Sequence, residues 1–328
     1  GSLLDNISPY IQEIRDTAGS FLESASSSPK ETPAPPDENG YFRIYFLDVG
    51  QGLSILIEAD GQYLLYDGGD RDASSFVVAW LKQKGIEHLD YLIASHYDAD
   101  HINGLVGALK TVTADTVIGP DYTAQSKVYQ SFVTAVSEQG KSIVTPVPGD
   151  RYLLGEGYFD VLAPLSDSYS DANDYSVVLR FVYGETSVLL TGDAEAESEL
   201  EMLEKWPVLQ SDILCVGHHG SPTSSSDEFL DRVSPSFAVI SCGKNNSYGH
   251  PAASVLERLS SRNIQIFRTD ENGTITVEGT AESFQILPEK ESTACLSPIP
   301  DIRKLSAYAG CFLFSRHFFA RISFSPIF

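Results

Sequence analysis

The stretch Asp90-Tyr91-Leu92-Ile93-Ala94-Ser95-His96-Tyr97-Asp98-Ala99-Asp100-His101 decides how the rest of the chain is read. Its first half is an apolar run that reads as a strand. The run ends directly in four potential metal ligands, His96, Asp98, Asp100 and His101. Imidazole and carboxylate groups this closely spaced, on an irregular loop at a strand terminus, can converge on one or two cations. The plain alternative is a polar surface loop rich in His and Asp. The neighbouring segments decide between the two.

Four further strand-like runs end the same way. QYLLYDGG closes on Asp67-Gly68-Gly69 and TSVLLTGD on Gly192-Asp193. SDILCVG leads into His218-His219-Gly220-Ser221, and FAVISCG into a loop carrying Lys244, Asn246, Tyr248 and His250. In a layered α/β protein, strand ends gather along one edge. Of the 7 histidines, only His88 and His317 lie outside these clusters. A convergent metal site is the expectation.

Periodicity supplies the rest of the architecture. YFRIYFLDVG, LSILIEA and QYLLYDGG read as strands, the last two joined by the hairpin signal Asp60-Gly61. DASSFVVAWLKQKG has helical spacing, with Asp72 or Ser74 as a start signal and Gly85 as a stop. Farther on, YFDVLAP, SVVLRFVYG, TSVLLTGD, SDILCVG, SFAVISCG, IQIFRTD and GTITVEG read as strands. AEAESELEMLEKW, SSDEFLDRV and PAASVLERLSSR read as helices. Strand–helix alternation between terminal hairpins predicts an α/β fold with a mixed sheet covered by helices.

Three segments are expected: a flexible acidic Ser/Pro-rich leader over 1–40, a folded domain over 41–288, and an aromatic, basic tail over 289–328. Within the leader, LLDNISPYIQEIRDTAGSFLES is expected to form a short amphipathic helix. Three readings of the tail compete, a membrane-surface or partner-binding segment, a docked extension and a stretch foreign to the domain, and its lack of helical amphipathic order favours the last two. Met202 is the only methionine, so a processed product or a fragment is expected. Cys215 and Cys242 sit in apolar strands, and the reading is of buried small side chains rather than redox or metal groups. No apolar run is long enough to span a membrane. With 45 acidic against 22 basic side chains and a net charge of −23, broad electrostatic coating of DNA is disfavoured. Cleavage of a phosphodiester anchored through metal stays open.

The order of these motifs resembles the metallo-β-lactamase superfamily: an Asp after an early strand, HxHxDH, a later Gly-Asp and a final His. More closely, Asp48-Val49-Gly50-Gln51-Gly52, SHYDADHINGL, TGDAE, VGHHGS, GKNNSYGHP and RTDENGTITV are similar to the ComEC family, whose domain of this type is attached to the competence DNA-uptake channel. The resemblance covers about residues 41–288. It implies a four-layer αββα sandwich holding two divalent metal ions, zinc or manganese. It implies a hydrolase, a phosphodiesterase or nuclease using metal-activated hydroxide, with single-stranded DNA as a substrate. An extracellular or cell-surface location and a membrane-channel partner or anchor upstream follow from the same resemblance. Hydrolysis of another ester (a phosphocholine ester, lactone or thioester) is the alternative enzyme reading. A degenerate, non-catalytic domain assembling with a membrane channel is the other.

Carried over residue by residue, the metal motif falls on His96, Asp98, Asp100 and His101. Asp98 stands where a second His is usual, and an oxygen donor there shifts preference from zinc toward manganese or iron. Asp193 would bridge the metals, and His250 would complete the second site beside Asp100 and His101. The superfamily's middle His has no counterpart, and Asn173 and Asp174 occupy its region. His218 and His219 either ligate metal or, with Asp100, act on the reacting oxygen. Asp67 either orients a ligand His or shapes the turn before Gly68. Lys244, Asn246 and Tyr248 are placed to contact substrate beside His250.

Overall fold

Along the strand Phe42–Phe46, Phe42, Ile44 and Phe46 face one apolar layer, and Tyr45, with Leu47 beyond, faces another. Both sets are buried, so this strand is covered on both sides. The computed structural model describes residues 40–291 and shows what covers it. The expected leader and nearly all of the expected tail lie outside the described residues.

Eight strands form the first sheet: Phe42–Phe46 (β1), Ile55–Ala59 (β2), Gln62–Tyr66 (β3), His88–Ile93 (β4), Thr113–Ile118 (β5), Ile143–Val144 (β6), and, after the second sheet, Ile275–Gly279 (β14) and Phe284–Pro288 (β15). Their spatial order is β15-β14-β1-β2-β3-β4-β5-β6. The second sheet contains Arg151–Leu154 (β7), Gly157–Ala163 (β8), Val178–Tyr183 (β9), Thr186–Leu190 (β10), Ile213–Cys215 (β11), Phe237–Ile240 (β12) and Gln265–Arg268 (β13). These run in reverse order, β13 to β7. Between the sheets pack Phe42, Ile44, Phe159, Phe181, Val188 and Leu190.

The outer layers are helical. Ser74–Gln83 (α1), Ala99–Leu109 (α2) and Lys127–Glu138 (α3) cover the first sheet through Val77, Leu81, Leu105, Leu109 and Phe132. Ala196–Lys205 (α4), Asp227–Val233 (α5) and Ala253–Ser261 (α6) cover the second through Met202, Phe229, Leu230, Val255 and Leu259. The expected αββα sandwich is what forms. Each buried large apolar side chain contributes roughly 1.5–3 kcal/mol, so the three layers dominate stability. Cys215 and Cys242 are buried, as read, and the Cys242 thiol donates to Asp270 Oδ1 at 3.3 Å. No helix among the described residues is long and apolar enough to cross a membrane.

Local signals held at the first hairpin, where Asp60 and Gly61 both take positive φ (52° and 81°) and Ala59 faces Gln62. α1 starts at Ser74, but its cap signal is displaced: Asp70 caps a short 3-10 turn, Arg71–Ala73, that leads into it. The loop expected at 97–101 is a departure. Asp98 is the N-cap of α2, and Asp100 and His101 lie in its first turn. Gly104 and Gly107 weaken the helical signal there. Gly104 is needed for packing: the helix backbone rests on the Asp67-Gly68-Gly69 turn, with Gly68 N donating to His101 O at 2.7 Å and Gly104 N to Gly69 O at 3.1 Å. A Cβ on Gly104 would collide with the Gly68 carbonyl, whereas one on Gly107 would crowd just the side-chain hydroxyl of Ser74 and touch Val78 at an ordinary distance. Gly104→Ala is expected to cost on the order of 3 kcal/mol in urea unfolding. Gly107→Ala should stay within about 1 kcal/mol of wild type, because alanine's higher helix propensity offsets a movable contact.

Candidate metal centre

β3 and β4 run parallel, as do β10, β11 and β12, so their carboxyl ends point the same way within each sheet. Asp67 follows β3, His96 follows β4, and Asp193 and the His218-His219 pair follow β10 and β11. These ends meet across the sandwich: Asp193 Oδ1 is 3.3 Å from His101 Nε2.

Asp67 takes φ of 59°, a left-handed conformation that Asp tolerates better than most residues. Its fully buried carboxylate accepts from Ser95 N at 2.8 Å, Ser95 Oγ at 2.6 Å and His101 Nδ1 at 2.8 Å. The Ser95 hydroxyl proton is thereby committed to Asp67, leaving its oxygen to accept from His96 Nδ1 at 3.0 Å. His219 Nδ1 donates to the Ser241 carbonyl at 3.0 Å, and His218 Nδ1 to Glu195 Oε1 at 2.9 Å. Four imidazoles are thus tied at Nδ1 and keep Nε2 as the open lone pair, the arrangement that fixes a ligand tautomer.

The open atoms converge. His101 and His219 present Nε2 to each other at 3.3 Å, and His219 Nε2 is 3.3 Å from Asp100 Oδ2. Asp193 Oδ2 is 3.5 Å from His219 Nε2 and 3.7 Å from His218 Nε2. His96 Nε2 and Asp193 Oδ1 are buried with no hydrogen-bond partner. Orphaned buried polar atoms are costly and ask for a partner. The donors fall into two overlapping groups, His96 with His101 and Asp193, and Asp100 with His101 and His219, each with its ligand atoms within 4.8 Å of one another. This nitrogen and oxygen donor set fits divalent cations. Asp98 lies at the rim, with Oδ2 at 3.9 Å from His96 Nε2 and its side chain half exposed.

Electrostatics point the same way. Burial pushes His96 down to about 4, reinforced by the neighbouring His101, so its ring is neutral at neutral pH. Burial opposes charge on His101 too, but Asp193, Asp67 and Asp100 outweigh it and hold that imidazole well above its usual range. The same contest raises His219 to about 9 through Asp193 and Asp100. Burial would raise Asp193 and Asp100, yet His101 and His219 hold both below the usual carboxylate range. The cluster calls for positive charge. Protons and a divalent cation answer that same demand, so binding one releases the other.

His219, not His250, stands beside Asp100 and His101. The reason is backbone: His218 and His219 take consecutive left-handed conformations (φ 48° and 55°) that turn His219 inward. His250 is offset, its ring 5.5 Å from that of His218 and its Nδ1 buried without a partner. Glu195 is the residue that sequence reasoning missed. It occupies the N-cap position of α4 without capping it. Asp174 does that job, accepting from Glu195 N at 2.9 Å and Ser198 N at 3.2 Å. The Glu195 side chain is left to hold His218, and it also accepts from Thr223 Oγ1 at 2.8 Å and Asn173 Nδ2 at 3.2 Å. Asn246 is committed to its own loop: Oδ1 accepts from Tyr248 N at 3.1 Å and His250 N at 3.0 Å, and Nδ2 donates to the Gly243 and His250 carbonyls. Lys244 and Tyr248 remain exposed beside His250.

The chain is similar to known proteins. Residues 47–244 match the family described as the Metallo-beta-lactamase superfamily. ComE operon protein 3 of Bacillus subtilis (strain 168) is 35% identical over 267 residues, covering 75% of this chain and 34% of that protein. Competence protein ComA of Neisseria gonorrhoeae is 35% identical over 230 residues, covering 70% of this chain and 31% of that one. The chain thus spans about a third of the length of these relatives. Among solved structures, the metallo-beta-lactamase fold protein YhfI from Bacillus subtilis aligns over 74% of this chain and 100% of its own, at a TM-score of 0.49 and 14% identity. With the family match spanning more than half of the chain and competence proteins as its relatives, this chain belongs to the metallo-β-lactamase superfamily of metal-dependent hydrolases and is ComEC-like.

Proposed function

We propose that the domain hydrolyses phosphodiester bonds, acting as a nuclease on a DNA strand outside the membrane and next to a channel encoded with it. The carrying observation is the set of imidazoles tied at Nδ1 and open at Nε2 around an unpartnered Asp193 oxygen. Such a centre, with buried donors assembled from both sheets, favours catalysis over a degenerate binding domain. The competence relatives support DNA as the substrate over a lactone, a thioester or a phosphocholine ester.

Divalent cations bound at this centre would supply an activated water and charge to polarise the substrate's non-bridging oxygen. His96, Asp98, Asp100, His101, Asp193 and His219 are the residues that would hold them. The oxygen donors Asp98, Asp100 and Asp193 suit manganese or iron as well as zinc. Asp67 keeps His101 in the donor tautomer. His218 is partly exposed and tied at Nδ1 to Glu195, so its open Nε2 is the atom left to accept the proton that the attacking water gives up as the phosphorus–oxygen bond breaks, the leaving oxygen taking its proton from solvent.

Three outcomes are expected. Asp193→Ala, shown folded by circular dichroism, should lose bound metal by elemental analysis and lower kcat on bis(p-nitrophenyl) phosphate by about 10³-fold or more. Retention of both metal and rate would overturn the reading. Asp67→Asn should weaken metal affinity about 10–100-fold in chelator competition, while saturating metal restores much of the rate. Glu195→Gln should lower kcat about 10²-fold with metal content unchanged, separating His218 from the donor set.

A further inference from the structure

Tyr248 is the most exposed large apolar side chain among the described residues, at 70%. So little burial gives it no packing role. Its placement is nonetheless fixed, because Asn246 accepts from its backbone N–H and braces the loop. One face of its ring lies against His250, with centroids 5.7 Å apart and planes 27° from parallel. From there the rings continue through His218 to His219 in the donor set, at 5.5 Å and 6.0 Å between centroids. The other face of Tyr248 is open.

Alongside runs an open cleft of about 690 Å³, lined by Lys244, His250, Arg268, Asp270, Glu271 and Lys290 among others. Arg268 is already paired, with Asp270 at 2.7 Å and Glu271 at 3.0 Å. Neither Lys244 nor Lys290 enters an ion pair among the described residues. Glu291 also lines the cleft, so its three basic side chains are matched by three acids; on a chain of net charge −23 even this balance, with two such ammonium groups beside an open aromatic face, is a local exception.

We propose that this face binds a single nucleic-acid strand: one unpaired base lies on Tyr248, and the adjoining phosphates follow the cleft past Lys244 and Lys290. The proposal rests on the phosphodiesterase reading and adds to it the means of choosing a substrate. An aromatic platform with a few cations beside it is how proteins hold single strands, because any unpaired base offers a π-face. A duplex buries those faces in its own stack, so the same surface discriminates against it. Two lysines cannot coat DNA broadly. They can hold the phosphates next to the one at the metal centre.

The test uses EDTA-treated full chain and 5′-fluorescein-labelled dT12, with anisotropy as the readout. Tyr248→Ala should weaken binding roughly tenfold or more, and Tyr248→Phe should stay within about twofold of wild type. Lys244→Gln should reduce the slope of log affinity against log salt by about 0.7. The wild type should bind the same strand with central abasic sites about as weakly as Tyr248→Ala binds dT12. No measurable binding, equal binding by Tyr248→Ala and wild type, or equal binding of abasic and intact strands overturns the platform. Manganese-loaded wild type on bis(p-nitrophenyl) phosphate then separates the two levels. Dye cleavage with a failed binding series removes only the strand platform, whereas no cleavage of dye or dT12 removes the phosphodiesterase reading as well.

Discussion

The centre depends on the burial of one carboxylate, that of Asp67. In a dry site it must be fully hydrogen-bonded, and its partners come from two chain segments: the backbone and hydroxyl of Ser95 after β4, and the ring of His101 in the first turn of α2. Satisfying Asp67 therefore brings the end of β3, the end of β4 and the start of α2 into one arrangement. Through Ser95 it sets the tautomer of His96, and through Nδ1 it sets that of His101. The close backbone contact between Gly68 and Gly104 belongs to the same arrangement, since a larger residue at either position would lift α2 away from the turn.

The second sheet answers with a different construction. Asp193, His218 and His219 are placed by short turns after β10 and β11, and their side chains are steadied by groups of their own sheet: Ser241 for His219 and Glu195 for His218. Two independently braced half-sites thus face each other across the sandwich. The demand for positive charge is strongest where they meet, with Asp67 and Asp100 on one side and Asp193 on the other all acting on His101.

Much of this was legible in the sequence. An apolar run stopping at His or Asp is a local signal, and it located Asp67, His96, Asp100, His101, Asp193 and the His218-His219 pair. The order of those motifs carried the αββα fold. What was hidden is non-local. His219 and His250 both follow strand ends, and only the left-handed backbone at His218-His219 decides which imidazole turns inward. Glu195 looks like an ordinary acid at a helix start. Its freedom to serve His218 depends on Asp174 capping α4 in its place. Helix α2 was obscured by glycines that weaken helical propensity but are required by the turn beneath it. Asn246 reads as a loop residue open to substrate, although four backbone groups of its loop occupy its amide.

Asp67, His218 and His219 share a left-handed backbone, with φ between 48° and 59°. For residues other than glycine this conformation costs of order 1 kcal/mol or more, and Asp and Asn bear it best. Alanine scanning at these three positions therefore mixes two quantities, the chemistry of the lost group and a change in the backbone's own preference. A glycine substitution would erase the group while relieving the conformation, and an asparagine would keep the conformation while removing a charge. Reading all three substitutions together would divide the architectural debt of the turn from the chemical contribution of the side chain.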